Sequence, residues 1–253
     1  MNLGSELIKN IENFAPISLK EMDDVLFMRR IDNKFIINIQ QLSILLKKAL
    51  VDYYMLEIND IREQVYETTY YDTSNYSLYN LHHNGILNRY KIRIRMYVYS
   101  NIEFLEVKRK NNKGETIKNR ILCPDLGSQL DFEGCDRFLD KYTTFNNKFL
   151  WPKLSNNFTR LTMVSKNLDE RITIDYNLKI TDLKYLTQLT DNNLCIIEIK
   201  RNRDNKKSPF INTLLELKIR SNGFSKYCLG LALLNPEVKT NLFKQKIREL
   251  EKI

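Results

Sequence analysis

The fold is decided by residues 88–120, NRYKIRIRMYVYSNIEFLEVKRKNNKGETIKNR. In RYKIRIR, the cations Lys91, Arg93 and Arg95 alternate with apolar residues, so an extended strand places all three on one face. FLEVKRK follows as a second strand with lysines at even spacing, and after the turn NNKG the run ETIKNR forms a third. Three successive antiparallel strands therefore carry cations on one surface. Like charges side by side are unfavourable, which predicts that a polyanion lies against this surface.

The composition fits a folded protein with acidic partners. At 253 residues and 43% hydrophobic content the chain can bury a substantial core, and only 7 glycines and 5 prolines argue against long linkers. The net charge of +9 predicts partners such as nucleic acid, nucleotides, inorganic phosphates or anionic lipid. Composition alone does not choose among these anions.

No stretch of the sequence predicts a membrane span or secretion. The apolar runs fall short of the roughly 18 residues of a membrane helix, and the first residues lack the order of a signal peptide, so we expect a cytoplasmic protein. The four cysteines are scattered without a CxxC pair and are expected to be reduced and structural. His82 and His83 are adjacent, which favours a loop position over shared metal ligation.

Periodic patterns predict an α+β fold. FLEVKRK at 104–110 and IIEIKRN at 196–202 share the order apolar-Glu-apolar-Lys-Arg, and RRIDNKF adds another strand with charges at even spacing. These strands predict a closed antiparallel barrel with a charged lumen and an apolar outside that helices cover. An open sheet with a solvated charged face is the alternative. Helical periodicity predicts the covering helices at 2–14, 40–50, 135–145, 209–221 and 241–252.

Nine motifs occur in the order typical of one known family: RRIDNKF, YYDTSNYSLY, NRYKIRIR, FLEVKRK, TIKNRI, FTRLTM, DERITIDYNL, IIEIKRN and FSKYCLG. The ordered set resembles the VTC domain, the polyphosphate polymerase branch of the triphosphate tunnel metalloenzymes in the CYTH-like superfamily. The resemblance covers about residues 20–235 and implies that residues 1–253 form a single VTC-like tunnel domain with flanking terminal helices. It also implies a closed, eight-stranded antiparallel β barrel that holds a triphosphate or a polyphosphate.

The resemblance implies a phosphotransferase that adds the γ-phosphoryl group of ATP to a growing inorganic polyphosphate chain. The attacking phosphate oxygen is already anionic, so the reaction requires no general base. It does require neutralised charge and in-line positioning, because a loose phosphoryl-transfer transition state is stabilised mainly by electrostatics. Arginine suits this role because its planar guanidinium holds two phosphate oxygens, while lysine supplies point charges.

The motif positions imply a set of site residues. Glu198 is expected to bind a divalent metal ion, Mn²⁺ or Mg²⁺, which would bridge phosphate oxygens. The alternative is that Glu198 pairs only with Lys200 or Arg95, and that single cations of the set are ordinary surface charges. Expected catalytic residues are Arg93, Arg95, Arg171 and Lys200. Expected substrate-binding residues are Arg30, Lys34, Lys91, Lys108, Lys118, Arg160 and Lys226.

Two other functional classes stay open. A tunnel triphosphatase would use much the same cations with water as the nucleophile, but those enzymes typically carry an N-terminal ExExK strand, whereas RRIDNKF offers one acid. A non-enzymatic reader of polyphosphate or RNA is the other, and RNA binding would call for more exposed aromatic residues on the charged strands. We therefore expect ATP and inorganic polyphosphate as partners and no nucleic acid. The sequence leaves open a separate membrane protein partner and the oligomeric state.

Overall fold

The computed structural model describes residues 3–23, 30–125, 127, 129–202 and 208–252. The strands are β1 (Pro16–Ile17), β2 (Arg30–Asn38), β3 (Tyr53–Leu56), β4 (Gln64–Asp72), β5 (Arg89–Tyr97), β6 (Ile102–Lys110), β7 (Thr116–Leu122), β8 (Trp151–Ser165), β9 (Glu170–Asp182), β10 (Gln188–Asp191) and β11 (Leu194–Asn202). The α-helices are α1 (Leu3–Glu12), α2 (Leu19–Asp23), α3 (Ile39–Ala49), α4 (Ser77–His83), α5 (Cys135–Tyr142), α6 (Pro209–Glu216), α7 (Lys226–Leu234) and α8 (Lys244–Leu250).

Eight strands follow one another in the order β2-β11-β9-β8-β4-β5-β6-β7, and every step is antiparallel. The predicted antiparallel α+β fold is therefore confirmed, but the predicted closure is not. Within the described ranges the end strands β2 and β7 do not pair with each other, so the sheet is open. The burial pattern of β7 explains this, since four of its seven residues are exposed and none is buried. An end strand that buries so little of its surface has little to hold it against a new neighbour.

The face of the sheet opposite the charged residues is covered by helices. Helices α1, α3 and α6 pack on β2, β8, β9 and β11, and α5 packs on β5 and β6. α3 starts where Asn38 caps it: the Asn38 side chain accepts from the Gln41 backbone N–H at 2.9 Å, and the Gln41 side chain accepts in return at 3.1 Å. Its Leu42 and Leu46 are fully buried, and each such side chain contributes about 1.5–3 kcal/mol.

Helix α7, which is not among the predicted covering helices, packs on the charged side of the sheet. Its sequence KYCLGLALL is apolar around most of its circumference, so the helix is stable only when it is enclosed. The sheet offers apolar residues there, including Leu154 and Ile180. A Cβ added to Gly230 would lie 2.9 Å from side-chain atoms of both residues, so glycine permits this close approach.

A bulge in β9 makes room for α7. Arg171, Thr173 and Asp175 face the charged side, and a register shift against β8 follows, with Asn177 in the left-handed region at φ 51°. Beyond the shift Leu178 faces α7, although strict alternation would have placed it on the other face. One strand therefore presents charges at one end and apolar residues at the other end of the same surface.

Several predicted helix boundaries are wrong. The predicted helix 209–221 ends at Glu216, because the chain turns at Lys218, which has φ 59°. The predicted helix 135–145 ends at Tyr142, and in the predicted helix 241–252 a 3-10 turn precedes α8. The N-terminal helix begins at Leu3 in the described part of the chain.

Candidate anion-binding site

The inner face is the sheet surface that carries Lys34 on β2, Arg93 on β5 and Glu198 on β11. The register places like charges side by side on it, since Lys108 is opposite Lys91 on one side and opposite Lys118 on the other. Three lysines thus form a row across β5, β6 and β7. Like charges directly opposite each other are destabilising, so this row favours a bound anion.

The two ends of the sheet face each other across one cavity. Lys34 and Glu198, at one end of the strand order, line it together with Lys91 and Lys108 from the other end. Its volume is about 430 Å³, which is within the range of small-molecule sites, about 300–1,000 Å³. The segment Ser221–Ser225, between α6 and α7, forms part of the opposite wall. The sheet is open at its edges, but it curls enough to bring residues from both ends of the strand order to one cavity.

Glu106 is held by two cations. Its carboxylate accepts from Arg93 Nε at 2.7 Å, and Lys118 forms a second ion pair with it. Burial alone would raise the pKa of the Glu106 carboxyl, but Arg93, Arg95 and Lys118 together lower it to about 2. Arg93 Nη1 also lies 3.4 Å from the hydroxyl oxygen of Tyr70. The position of the Arg93 guanidinium on the inner face is thereby fixed from two sides.

Asp175 on β9 is held in the same way. Arg160 grips it with two hydrogen bonds, Nε to Oδ1 at 2.5 Å and Nη2 to Oδ2 at 2.8 Å, and Lys226 of α7 forms an ion pair with it. Burial opposes ionisation of Asp175, but Arg160 and Lys226 hold the pKa of this carboxyl well below its usual range. The bidentate geometry orients the guanidinium of Arg160 among the inner-face cations.

Glu198 is paired more loosely. Lys34 Nζ is 3.8 Å from one carboxylate oxygen, and Lys200 Nζ is 3.9 Å from the other. Burial raises the pKa of the Glu198 carboxyl, but Lys34, Lys200, Lys108 and other cations lower it to about 2. The group is therefore ionised, and both of its ion pairs are longer than a charge-assisted hydrogen bond.

Three other cations of the inner face form no ion pair with a carboxylate in the described part of the chain. Among the residues that the structure describes, Lys108 forms neither an ion pair nor a hydrogen bond, and burial lowers the pKa of its ammonium group to about 8. Burial also lowers the pKa of Lys91, whose ammonium donates to Ser225 Oγ at 2.9 Å, and the pKa of Arg95 to about 10. Such groups are stabilised in the charged form when an anion binds beside them.

The predicted site residues lie together to different degrees. Lys34, Lys91, Lys108 and Glu198 line the cavity. Arg171 and Lys200 are register partners on β9 and β11. Arg30 begins β2, but its side chain lies outside the described residues, as does Arg29 of the predicted strand RRIDNKF. Beyond the cavity lining, the inner face carries Arg93, Arg95, Lys118 and Arg160, and Lys226 of α7 reaches this face through its ion pair with Asp175.

Sequence reasoning missed several residues of the site. Asp175 could have been found, because it shares the alternation of Arg171 and Thr173 in RITID. Lys246 of α8 lines the cavity, although the C-terminal helix was expected to be an outer covering element. His82 also lines the cavity, and the prediction of a loop is wrong, since His82 and His83 end helix α4. The sequence around Lys246 and His82 contains no local pattern that predicts their place in the cavity lining.

Metal-ligand clusters and membrane helices are absent from the described ranges. No group of three or more His, Cys, Asp or Glu side chains there could hold a metal ion. The four cysteines are buried and form no disulfide. None of the helices in those ranges combines the length and the apolar character needed to cross a membrane.

Comparisons with known proteins agree with the geometry. The sequence model of the VTC domain matches residues 29–235. No curated protein matches the chain. Among solved structures, a proposed adenylate cyclase from Bacillus halodurans is 11% identical with a TM-score of 0.51, and the match covers 78% of this chain and 94% of that one. At this identity the likeness shows a shared fold.

Two further solved structures are similar at lower scores. A proposed adenylate cyclase from Vibrio parahaemolyticus is 12% identical with a TM-score of 0.47, over 81% of this chain and 99% of that one. A proposed adenylyl cyclase from Hippeastrum, described as having a dominant triphosphatase activity, is 16% identical with a TM-score of 0.48, over 82% of this chain and 98% of that one.

Proposed function

The chain belongs to the VTC domain family, and we propose that it is a polyphosphate polymerase, which transfers the γ-phosphoryl group of ATP to the end of an inorganic polyphosphate chain. One observation supports this reaction over hydrolysis. The carboxylates among the inner-face cations, Glu106, Asp175 and Glu198, have pKa values lowered by those cations, to about 2 for Glu106 and Glu198. A general base works best with a pKa near the operating pH, so these groups are poor bases for activating water.

A phosphate chain as nucleophile needs no such base, because its terminal oxygen is already anionic. What the reaction needs is a fixed array of positive charges. Arg93 is held by Glu106, and Arg160 is held by Asp175, so both guanidiniums are oriented before a ligand arrives. We assign Arg93, Arg95, Arg171 and Lys200 to the transferring phosphoryl group. Lys34, Lys91, Lys108, Lys118, Arg160 and Lys226, with Arg30, would hold the rest of the two polyanions.

The donor set of the cavity fits a hard divalent ion. Glu198 is ionised and lines the cavity together with Asp32 of the neighbouring strand. Mg²⁺ and Mn²⁺ are commonly bound by one or two carboxylates plus substrate phosphates, which matches one or two acids beside a phosphate site. Glu198, with Asp32, would hold the ion. When bound, the ion would offset the charge of the two phosphate groups that must approach each other.

The proposal is tested by incubating the purified protein with ATP and Mn²⁺ and measuring polyphosphate and ADP. We expect long-chain polyphosphate to accumulate with one ADP for each phosphoryl group transferred. Release of free phosphate without polymer would contradict the polymerase and support a triphosphatase. Binding of polyphosphate without any turnover of ATP would instead indicate a non-enzymatic polyphosphate-binding protein.

A further inference from the structure

The cavity has a second set of basic groups on the side that faces the helices. We name it the mouth cluster: His82 at the end of α4, Arg89 at the start of β5, Lys110 at the end of β6 and Lys246 on α8. His82 and Arg89 are close in the sequence, whereas Lys110 and Lys246 come from other segments. Lys246 lies beyond residues 29–235, the range that the VTC domain matches, so this part of the cavity is not a feature of the matched domain alone.

The charge of the cavity lining is strongly positive. Its acids are Asp32 and Glu198, both on the β2 and β11 side, and the mouth cluster contains no acid. Glu249, one turn from Lys246 on α8, accepts a hydrogen bond from Asn222 Nδ2 at 2.7 Å and partly offsets the charge of Lys246. The cations of the lining are Lys34, Arg89, Lys91, Lys108, Lys110 and Lys246. A surface with this excess attracts anions and not neutral ligands.

His82 lines the cavity and carries a buried hydrogen-bonding atom without a partner among the described residues. Its Nδ1 is buried and has no hydrogen-bond partner in the described part of the protein. Burial, followed by the repulsion of Lys91, Arg89, Lys246 and Lys110, lowers the pKa of the imidazole to about 3. The ring is therefore neutral and can donate one N–H, and a buried polar atom without a partner is unfavourable unless a ligand or water binds it.

Lys246 is positioned by the chain that forms the cavity wall. Its ammonium donates to the carbonyl oxygen of Gly223, and Gly223 belongs to the segment Ser221–Ser225 that lines the cavity. Burial lowers the pKa of Lys246, while Glu249 opposes that shift. An ammonium group has three donors, so the bond to Gly223 leaves others for an anion.

We propose that the mouth cluster is a second anion-binding subsite, which holds phosphate units of a polyphosphate chain beyond those on the inner face. This rests on the proposed function and names the path of the chain: from the row Lys91, Lys108 and Lys118 past His82 and Lys246. A nucleoside is a weaker occupant. The ring of Phe243, the aromatic neighbour of His82, is already packed at 5.4–6.2 Å from Tyr79, His82 and His83.

The test compares how Lys246→Ala binds sodium tripolyphosphate, ATP and a long-chain polyphosphate, each measured by calorimetry without metal. We expect the affinity for long-chain polyphosphate to fall about fivefold at low salt. The slope of log affinity against log salt concentration should decrease by the equivalent of one phosphate contact. The affinities for tripolyphosphate and ATP should stay unchanged. Lys244→Ala is the matched control, because Lys244 lies on the same helix and is not part of the cavity lining. His82→Phe, which keeps a ring but no donor, should weaken long-chain binding in the same direction.

Three results would overturn the subsite. They are an unchanged long-chain affinity in Lys246→Ala, an equal loss for tripolyphosphate and the long chain, or a loss confined to ATP, which would assign the mouth to the nucleotide. The proposed function is judged separately by polymer synthesis from ATP. A wild-type protein that shows the expected length-dependent binding but makes no polymer would keep the subsite and reject the polymerase.

Discussion

Glu106 and Glu198 occupy the inner face of the same sheet, but the protein neutralises them differently. Glu106 is 1% exposed and touches two cations, with Arg93 Nε at 2.7 Å. Glu198 has its nearest ammonium groups at 3.8 and 3.9 Å, keeps 19% of its side chain exposed and lines the cavity. A carboxylate at hydrogen-bond distance fixes its arginine in place. A loosely paired one keeps its oxygens accessible to a metal ion.

This difference separates carboxylates that hold other site residues in position from a carboxylate that is accessible to a metal ion. Asp175 resembles Glu106, because an arginine and a lysine both pair with it. Breaking such a cluster leaves a buried charge without its partner, so stability should fall. Removing Glu198 leaves lysines that are partly solvated, so stability should fall less than after a change at Glu106, and metal dependence should change. The following predictions separate these two outcomes.

The largest effect is expected for Arg93→Ala, which removes the guanidinium held by Glu106. We expect turnover of ATP to fall by about 10²- to 10³-fold or more, because a fixed cation beside the transferring group is lost. The protein should stay folded by circular dichroism. Arg109→Ala is the matched control, since Arg109 is on the same hairpin but exposed on the other face. Wild-type rates in Arg93→Ala would show that the inner face is not the reaction site.

A smaller effect is expected for Glu198→Gln, which keeps the shape and removes the charge. The Mn²⁺ concentration for half-maximal activity should rise by about tenfold or more, as the ion loses its carboxylate. The midpoint of thermal unfolding should fall less than in Glu106→Gln, because Glu198 and its lysine partners stay partly solvated. If Glu198 only balances Lys34 and Lys200, the outcome reverses: the metal requirement stays constant and tripolyphosphate binds more tightly.

Glu106→Gln should act on stability through pH. The pKa of this carboxyl is lowered from 4.5 to about 2 in the folded protein, so its contribution is present above about pH 4.5 and is lost as pH falls toward 2. We expect the variant to lose on the order of 3 kcal/mol at pH 7 and to converge with the wild type at low pH. Urea unfolding at several pH values measures this. The exposed Glu115→Gln is the control, and a difference that persists at pH 2 would contradict the assignment to ionisation.

The smallest effect concerns Lys108, whose pKa is lowered to about 8 by burial. The free protein loses this charge as pH rises through 8, whereas a bound anion keeps it protonated. The loss of the Lys108 charge should therefore lower the metal-free affinity for tripolyphosphate by no more than about tenfold between pH 7 and pH 9. Lys108→Arg should flatten this profile in part, because Lys118, with a pKa also lowered to about 8, retains its own share. A profile as steep as the wild type's would exclude Lys108 from the site.

The strands of the site were predictable because alternation is a local property. RYKIRIR forms β5 and places Arg93 and Arg95 on one face, and FLEVKRK forms β6 beside it in the expected antiparallel pairing. The length of the helix predicted at residues 209–221 could not be read from the sequence, since apolar residues continue past Lys218 while the backbone turns there. The pattern shows which residues share a face, but not where tertiary contacts end an element.

The bulge at Asn177 is a second feature that the residue pattern of a strand does not predict. Alternation alone places Leu178 on the outer face, whereas the register shift turns it toward α7. A bulge depends on the partner strand as well as on its own sequence. The position of α7 on the inner face follows from this, because the helix packs on the apolar end that the bulge creates.

The sequence by itself determined the antiparallel strands, the alternation of charged and apolar residues along them and the excess of cations on one surface. These features depend on residues that are neighbours in the sequence. Only the tertiary structure decided that the sheet stays open and yet curls round one cavity, that α7 enters from the charged side and that His82 and Lys246 meet there. These features depend on contacts between segments far apart in the chain. No local pattern encodes such contacts, since they follow from how buried surfaces fit together.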